Sequence, residues 1–453
     1  MNRGGDRPRD AGRNGHHVEK PWDPGERREA GVQAHGGSAA GEMERRERNT
    51  ERRQRAGAAE ARNGTVATPE RAPHSTDDRT NLRRLIAHEV FFPAAALYGA
   101  VVLPWSVLAI TGVVHGPASL STPLGHAHEM LVGYALAVVA GYQLPRMSSR
   151  RLALLFVLWL LARVAYVASP DRVVAGMPDA AFAAALAWHV VPRLFVAAKK
   201  LRNLALPGIL AGLCVAAVAF DIAGSRARPP GAGTIALTAV LLLAALMLFM
   251  GGRIIAPAAA GQHYRQGGTL AARVQPRIEG ALLALMAIAI AVAPIPVLDP
   301  LLRAACGAAG ALALVRLLRW RLWSCRARRD LVCLGAGYAW LALGLLALGL
   351  ATRGGPRTGA IHAITVGAMG TLTFNVMAGT VLQRARRDRA REPRLIAGTA
   401  LIALAATLRI LAAVDGGEPL PMLIAAASCW SVALLLLGTW IVGIIARGRP
   451  PRP

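Results

Sequence analysis

A chain of 453 residues, 54% hydrophobic and only 17% charged, is too apolar for a soluble multidomain protein and reads as a polytopic membrane protein with a polar end. Its net charge of +26 does not point to a nucleic-acid partner, because the arginines fall in an N-terminal tail and in short gaps between apolar runs, the pattern of cytoplasmic loops. Five scattered cysteines without a Cys-x-x-Cys pair indicate neither a disulfide framework nor a thiolate metal site.

Residues 1–84 are rich in Arg, Gly, Glu and Ala, as in GEMERRERNTERRQRAGAAEARNG, and lack apolar periodicity. Such a segment buries too little surface to offset its ordering entropy, so a disordered basic tail is expected, with a start codon near Met43 or later as an alternative. From there apolar runs of the length a helix needs to cross a lipid bilayer alternate with short polar breaks. Spans are expected near residues 91–112, 125–144, 152–169, 179–198, 205–223, 232–250, 278–297, 300–318, 332–351, 360–382, 396–414 and 421–446. The fold class is therefore all-α: a polytopic transmembrane helical bundle of about twelve spans over residues 85–447, with residues 448–453 as a cytoplasmic end.

The loops test the phase of this count. Arg146, Arg150 and Arg151 follow the second span, Lys199, Lys200 and Arg202 the fourth, Arg253, Arg265, Arg273 and Arg277 the sixth. Arginines 316 to 329 follow the eighth span and 384 to 391 the tenth, whereas VVHGPASLSTPLG and PIPVLDP have no Lys or Arg and DGGEPLP is acidic. Basic loops lie inside, so both termini are expected in the cytoplasm and the starts of the second and tenth spans at the outer face of a bacterial inner membrane.

Most of the eleven histidines fall in the tail or in loops, with His88 and His263 assigned to cytoplasmic segments. His126, His128 and Glu129 open the second span in LGHAHEMLVGYALAVVAGYQLP, and His362 sits at the start of the tenth in AIHAITVGAMGTLTFNVMAGTVL. Ionisable residues in hydrocarbon are costly and mark function by default. On a helix His126 and Glu129 share a side with Gly133, Ala137 and Gly141, a small-residue stripe suited to close helix packing, while His128 points elsewhere. His362, Thr365, Met369 and Thr373 form a comparable stripe. Neutral imidazole suits haem iron and copper, but a Thr122-Pro123 helix start also places Glu129 where it complements a helix dipole. The two histidine groups meet only if the second and tenth helices are neighbours.

His189, beside Pro192, is expected to bond a carbonyl that the proline frees, and Met369 to fill the core. Arg253 reads as a cytoplasmic anchor, Asn375 as an interhelical hydrogen-bonder, and Trp320 with Trp323 as an interfacial belt. Acids within the spans are nearly limited to Glu129. Phosphate-cradling loops, nucleophile elbows and paired carboxylates are missing, which leaves ATP-driven transport and hydrolysis unsupported.

GHAHEMLVGYALAVVAGYQL resembles the His-Ala-His-Glu-Met signature of the NnrS family, and IHAITVGAMGTLTFNVM resembles that family's second signature. Weaker matches follow in the same order at LRNLALP, GGRIIAP and GYAWLALGLL, so the resemblance runs from about His88 to the C-terminus. It implies a twelve-span bacterial inner-membrane protein that binds haem and copper and is linked to nitric oxide metabolism and resistance to nitrosative stress. It further implies that His126, His128 and His362 contribute to cofactor binding, with Glu129 joining them as a metal ligand. The chain departs from the family pattern at Gly125, where a tryptophan is common, at Gly335, where a histidine is common, and after Gly379, where a Gly-His-Thr-Gly-Arg run is usual. Two potential ligands or groups that support ligands are thus missing, as in a divergent member with a reduced metal complement.

Two other classes compete. A twelve-span secondary transporter would carry ionisable residues at the membrane midplane on broken helices. A full haem–copper oxidase subunit would need about six imidazoles, more than the spans contain.

Overall fold

The computed structural model of the chain describes residues 86–168, 172–224, 231–352, 354–414 and 419–447. The expected tail and the expected C-terminal end lie outside the described residues. Every regular element described is helical, and eleven helices are long and apolar enough to cross a membrane. In chain order they are α1 (Ala87–Ile110), α3 (Ser149–Ala168), α4 (Arg172–Ala197), α5 (Ala205–Gly224), α6 (Ala232–Arg265) and α7 (Pro276–Val292), then α8 (Asp299–Arg319), α9 (Arg329–Leu350), α10 (Gly354–Arg384), α11 (Pro393–Val414) and α12 (Leu420–Ala446).

The second expected span, α2, is an unbroken helical rod over residues 123–143, made more polar than the others by His126, His128 and Glu129. It starts where the sequence places it: Pro123 takes the first turn and the Thr122 hydroxyl accepts a hydrogen bond from the Gly125 amide at 3.0 Å. Beyond His128 the rod changes winding, running as a π-helix over Glu129–Ala135 before returning to α over Leu136–Gln143. α10 does the same, with α-helix over Gly354–His362, π-helix over Ala363–Gly370 and α-helix again over Thr371–Arg384. Each signature helix therefore widens directly after its last histidine, in the manner of π-segments at functional sites.

Packing joins α1 to α2 and α12, α3 to α4, α4 to α5, and α8 to α7 and α9; α6 touches α2, α9 and α10. α2 and α10 are direct neighbours, tied by a 2.7 Å hydrogen bond between the Tyr134 and Thr373 hydroxyls. Small residues permit the closest crossings. A Cβ on Gly310 of α8 would collide with the Leu346 and Ala342 backbone of α9, and one on Gly141 would lie 2.5 Å from the Phe92 ring of α1.

Four sequence expectations are corrected. The GGRIIAPAAAGQHYR segment is not a loop but the continuation of α6 to Arg265. Its two glycines admit neighbours rather than break the helix: a Cβ on Gly251 would press on Tyr338, and one on Gly252 on the Arg316 guanidinium. His88 and His263 accordingly lie within α1 and α6 and are buried. Trp320 is fully buried against Tyr338 beneath Arg316, while only Trp323 of that pair is exposed. Arg253 is more than an anchor, since it donates to Asn203 Oδ1 at 2.7 Å and to Glu279 Oε1 at 3.1 Å, joining the LRNLALP and GGRIIAP segments.

Candidate functional site

Up-and-down passage brings the C-terminal ends of α1, α3, α5, α9 and α11 together with the N-terminal ends of α2, α4, α6, α10 and α12. At this end a cavity of about 480 Å³ opens between α1, α2, α6, α10, α11 and α12. His126 of α2 and His362 of α10 both line it, with Thr365, Met130, Met369 and Arg409.

Hydrogen bonding sets the tautomers of both rings. The Ser106 hydroxyl donates to the Leu103 carbonyl at 2.8 Å, so its oxygen accepts the 2.7 Å bond from His126 Nδ1–H. His362 Nδ1 lies 2.8 Å from the Thr358 carbonyl, which can only accept. In each ring the proton is on Nδ1 and the lone pair on Nε2. Neither Nε2 has a protein hydrogen-bond partner among the described residues. Orientation of an imidazole through its second nitrogen is the usual support for a metal-ligating histidine.

His128 and Glu129 lie on the other side of α2, in a second polar group. His128 Nδ1 is 2.8 Å from Glu129 Oε1, and His128 Nε2 is 2.8 Å from Asp221 Oδ1 of α5 and 3.8 Å from Asp179 Oδ2 of α4. Arg163 of α3 donates to Glu129 Oε1 at 2.7 Å and, through its other terminal nitrogen, to Asp179 Oδ1. The imidazole is stacked on Tyr166 with ring centres 3.9 Å apart and meets the edge of Phe220.

This division corrects the pairing of His126 with Glu129 on one face. Three residues of α-helix turn through about 300°, which leaves their directions roughly 60° apart. The carboxylate takes the side that offers a guanidinium and an imidazole, and His126 takes the cavity.

The sequence reading also missed Arg163, Asp179 and Asp221, and the statement that acids are nearly limited to Glu129 is wrong. All three lie within helices with side chains no more than 7% exposed. The signal was present, since a charged residue inside an apolar run is a functional hint in itself. Arg409, on α11 and lining the histidine cavity, was missed for the same reason. His189 bonds the Ala185 carbonyl at 2.8 Å, its own preceding turn rather than a carbonyl opened by Pro192. Asn375 donates across to Thr399 on α11, as expected.

The departures from the family pattern have local causes. A Cβ at Gly125 would collide with the Ser119 carbonyl, so the loop before α2 leaves no space for a side chain there. Gly335 packs on Leu322 and stands fifteen residues before the end of α9, roughly 22 Å of helix away from the histidine cavity's end. A histidine at that position would not complete the His126 and His362 pair.

Compared with known families, residues 84–449 match the model described as NnrS protein, and the chain belongs to that family. No curated protein and no solved structure matches it.

Proposed function

From NnrS membership we propose that this multi-pass membrane protein binds haem, copper or both between α2 and α10, through His126 and His362, and acts in the response to nitric oxide and nitrosative stress. The observation that carries this reading is the pair of imidazoles from two helices, each with its Nε2 lone pair free for a metal at the wall of one cavity. The donor set fits the groups that the family implies. Two neutral imidazoles suit haem iron or copper, the Met130 and Met369 thioethers add soft donors for copper, and Arg409 offers a cation to an anionic substituent. A cavity of about 480 Å³ is within the usual range for an enclosed ligand.

When bound, such a metal supplies a site at which nitric oxide can coordinate. The residues around it hold the imidazoles in one tautomer, exclude bulk water with apolar side chains, and keep a single positive charge on Arg409. Basic loops support placement in a bacterial inner membrane with both termini in the cytoplasm and this cavity toward the outer face. The transporter alternative expects its ionisable groups at mid-bundle. His128, Arg163, Asp179 and Asp221 instead stand within about two turns of their helix ends.

The test is purification in detergent after haem-sufficient expression, followed by absorption spectroscopy and metal analysis of the parent, H126A and H362A. Stoichiometric haem or copper that either substitution removes is the expected result. A parent protein free of both would overturn the cofactor reading and favour transport.

A further inference from the structure

The group around His128 is separate from the cavity just described, and the proposed function makes no use of Asp179 or Asp221. We propose that His128, Asp179 and Asp221 form a second metal site, for a divalent first-row cation that prefers nitrogen and oxygen donors, with zinc as its representative. The inference rests on this cluster alone and does not depend on haem or copper binding at His126 and His362.

Convergence is the first support. One ligand atom from each of the three side chains lies within 4.8 Å of the other two, although they come from α2, α4 and α5. Donors about 2.0 to 2.2 Å from a tetrahedral zinc stand roughly 3.2 to 3.6 Å apart. The 2.8 and 3.8 Å separations from His128 Nε2 bracket that range, so each carboxylate needs to move by only a few tenths of an ångström relative to the imidazole.

The surroundings of the imidazole are the second support. Glu129 receives its Nδ1–H, so Nε2 becomes the ligating atom when a metal displaces the proton it shares with Asp221 Oδ1, and Arg163 holds the Glu129 carboxylate in place. A carboxylate behind a histidine is the common outer support of zinc sites. Tyr166 and Phe220 fix the ring plane and keep water from it.

Charge and unmet bonding are the third. Among the described residues, Glu129, Asp179 and Asp221 set three carboxylates against the one guanidinium of Arg163, all with side chains more than nine-tenths buried. His128 has Nδ1 2.8 Å from Glu129 and Nε2 2.8 Å from Asp221, both acceptors, so in this arrangement the ring carries both protons and one negative charge is still left over; uncompensated charge in such a place is strongly unfavourable. Asp179 Oδ2 and Asp221 Oδ2 are buried without a hydrogen-bond partner among the described residues, and the first lies 3.8 Å from His128 Nε2. A dication removes the excess and gives these oxygens a partner. One imidazole and two carboxylates, without a thiolate, select zinc, manganese or ferrous iron over cuprous copper. Three protein donors leave a fourth position to water, as in zinc sites that do chemistry.

The experiment uses the full chain in detergent, freed of any polyhistidine tag and stripped with a chelator, then titrated with zinc chloride against a chromogenic zinc indicator. One tight zinc per chain is expected in the parent and in H362A. D221N and H128N should lose it, and E129Q should weaken it by about 10- to 100-fold. Cobalt(II) added to the stripped parent should give the intense visible bands of tetrahedral ligation, a readout that needs no variant to fold. Absence of tight zinc in the parent, a cobalt spectrum of octahedral type, or zinc retained by a monodisperse D221N would each overturn the proposal. A zinc held by tail residues such as His16 and His17 would survive D221N, so it would count against this site. Loss of haem in H362A with zinc retained separates this proposal from the preceding one.

Discussion

Replacing Arg163 with leucine tests the electrostatic account of the bundle most directly. Arg163 is 3% exposed and gives one terminal nitrogen to Glu129 and the other to Asp179, both fully buried. Breaking a buried ion pair by removing one partner costs about 3–5 kcal/mol, because the remaining charge is left without compensation. Here one cation serves two acids, so a loss near the upper part of that range, about 5 kcal/mol, is expected. R163K should fall between, because a single ammonium cannot reproduce the guanidinium fork. The triple variant R163L/E129Q/D179N should recover much of the loss, since it removes the buried charges with their partner. The assay is unfolding in mixed micelles with a chelator present, followed by tryptophan fluorescence. Trp159 reports locally, as its indole N–H donates to the Gly133 carbonyl beside this cluster at 3.0 Å. R163L within about 0.5 kcal/mol of the parent, the range of an ordinary surface change, or a triple variant no more stable than R163L, would refute the reasoning.

Two further outcomes are expected. S106A removes the acceptor that holds His126 Nδ1–H, so titration of the apoprotein with haem or copper should give affinity about 10- to 100-fold weaker, with unfolding stability nearly unchanged. G310V forces a branched side chain into the α8 and α9 crossing, where even a Cβ meets backbone, and should cost about 1–3 kcal/mol or more in the same unfolding assay.

The helical bundle was legible because its cause is local. Apolar runs long enough to cross a bilayer, the loop arginines between them and the Thr122-Pro123 start are properties of neighbouring residues, and they mark every helix, most ends within a few residues and the end of α6 fifteen residues short. The two histidine signatures are also local, and they carry the family. Misreadings arose where a local cue had a distant cause. Gly251 and Gly252 read as a loop although they make room for Tyr338 and Arg316, and Asp179 and Asp221 were passed over because their partners His128 and Arg163 lie far along the chain.

What the sequence determined by itself is thus the number of the helices, the family, and which residue types stand at the mouths of α2 and α10. The tertiary structure decided how those residues are shared. Helical spacing places His126 and Glu129 only roughly 60° apart, too small a difference to say which neighbour each will face. The outcome depends on Ser106, Arg163, Asp179 and Asp221, which lie between 20 and 93 residues from their partners in α2. Packing brings them there, and the cost of burying an uncompensated charge turns Glu129 and His128 toward one group while His126 is left to meet His362 across the cavity.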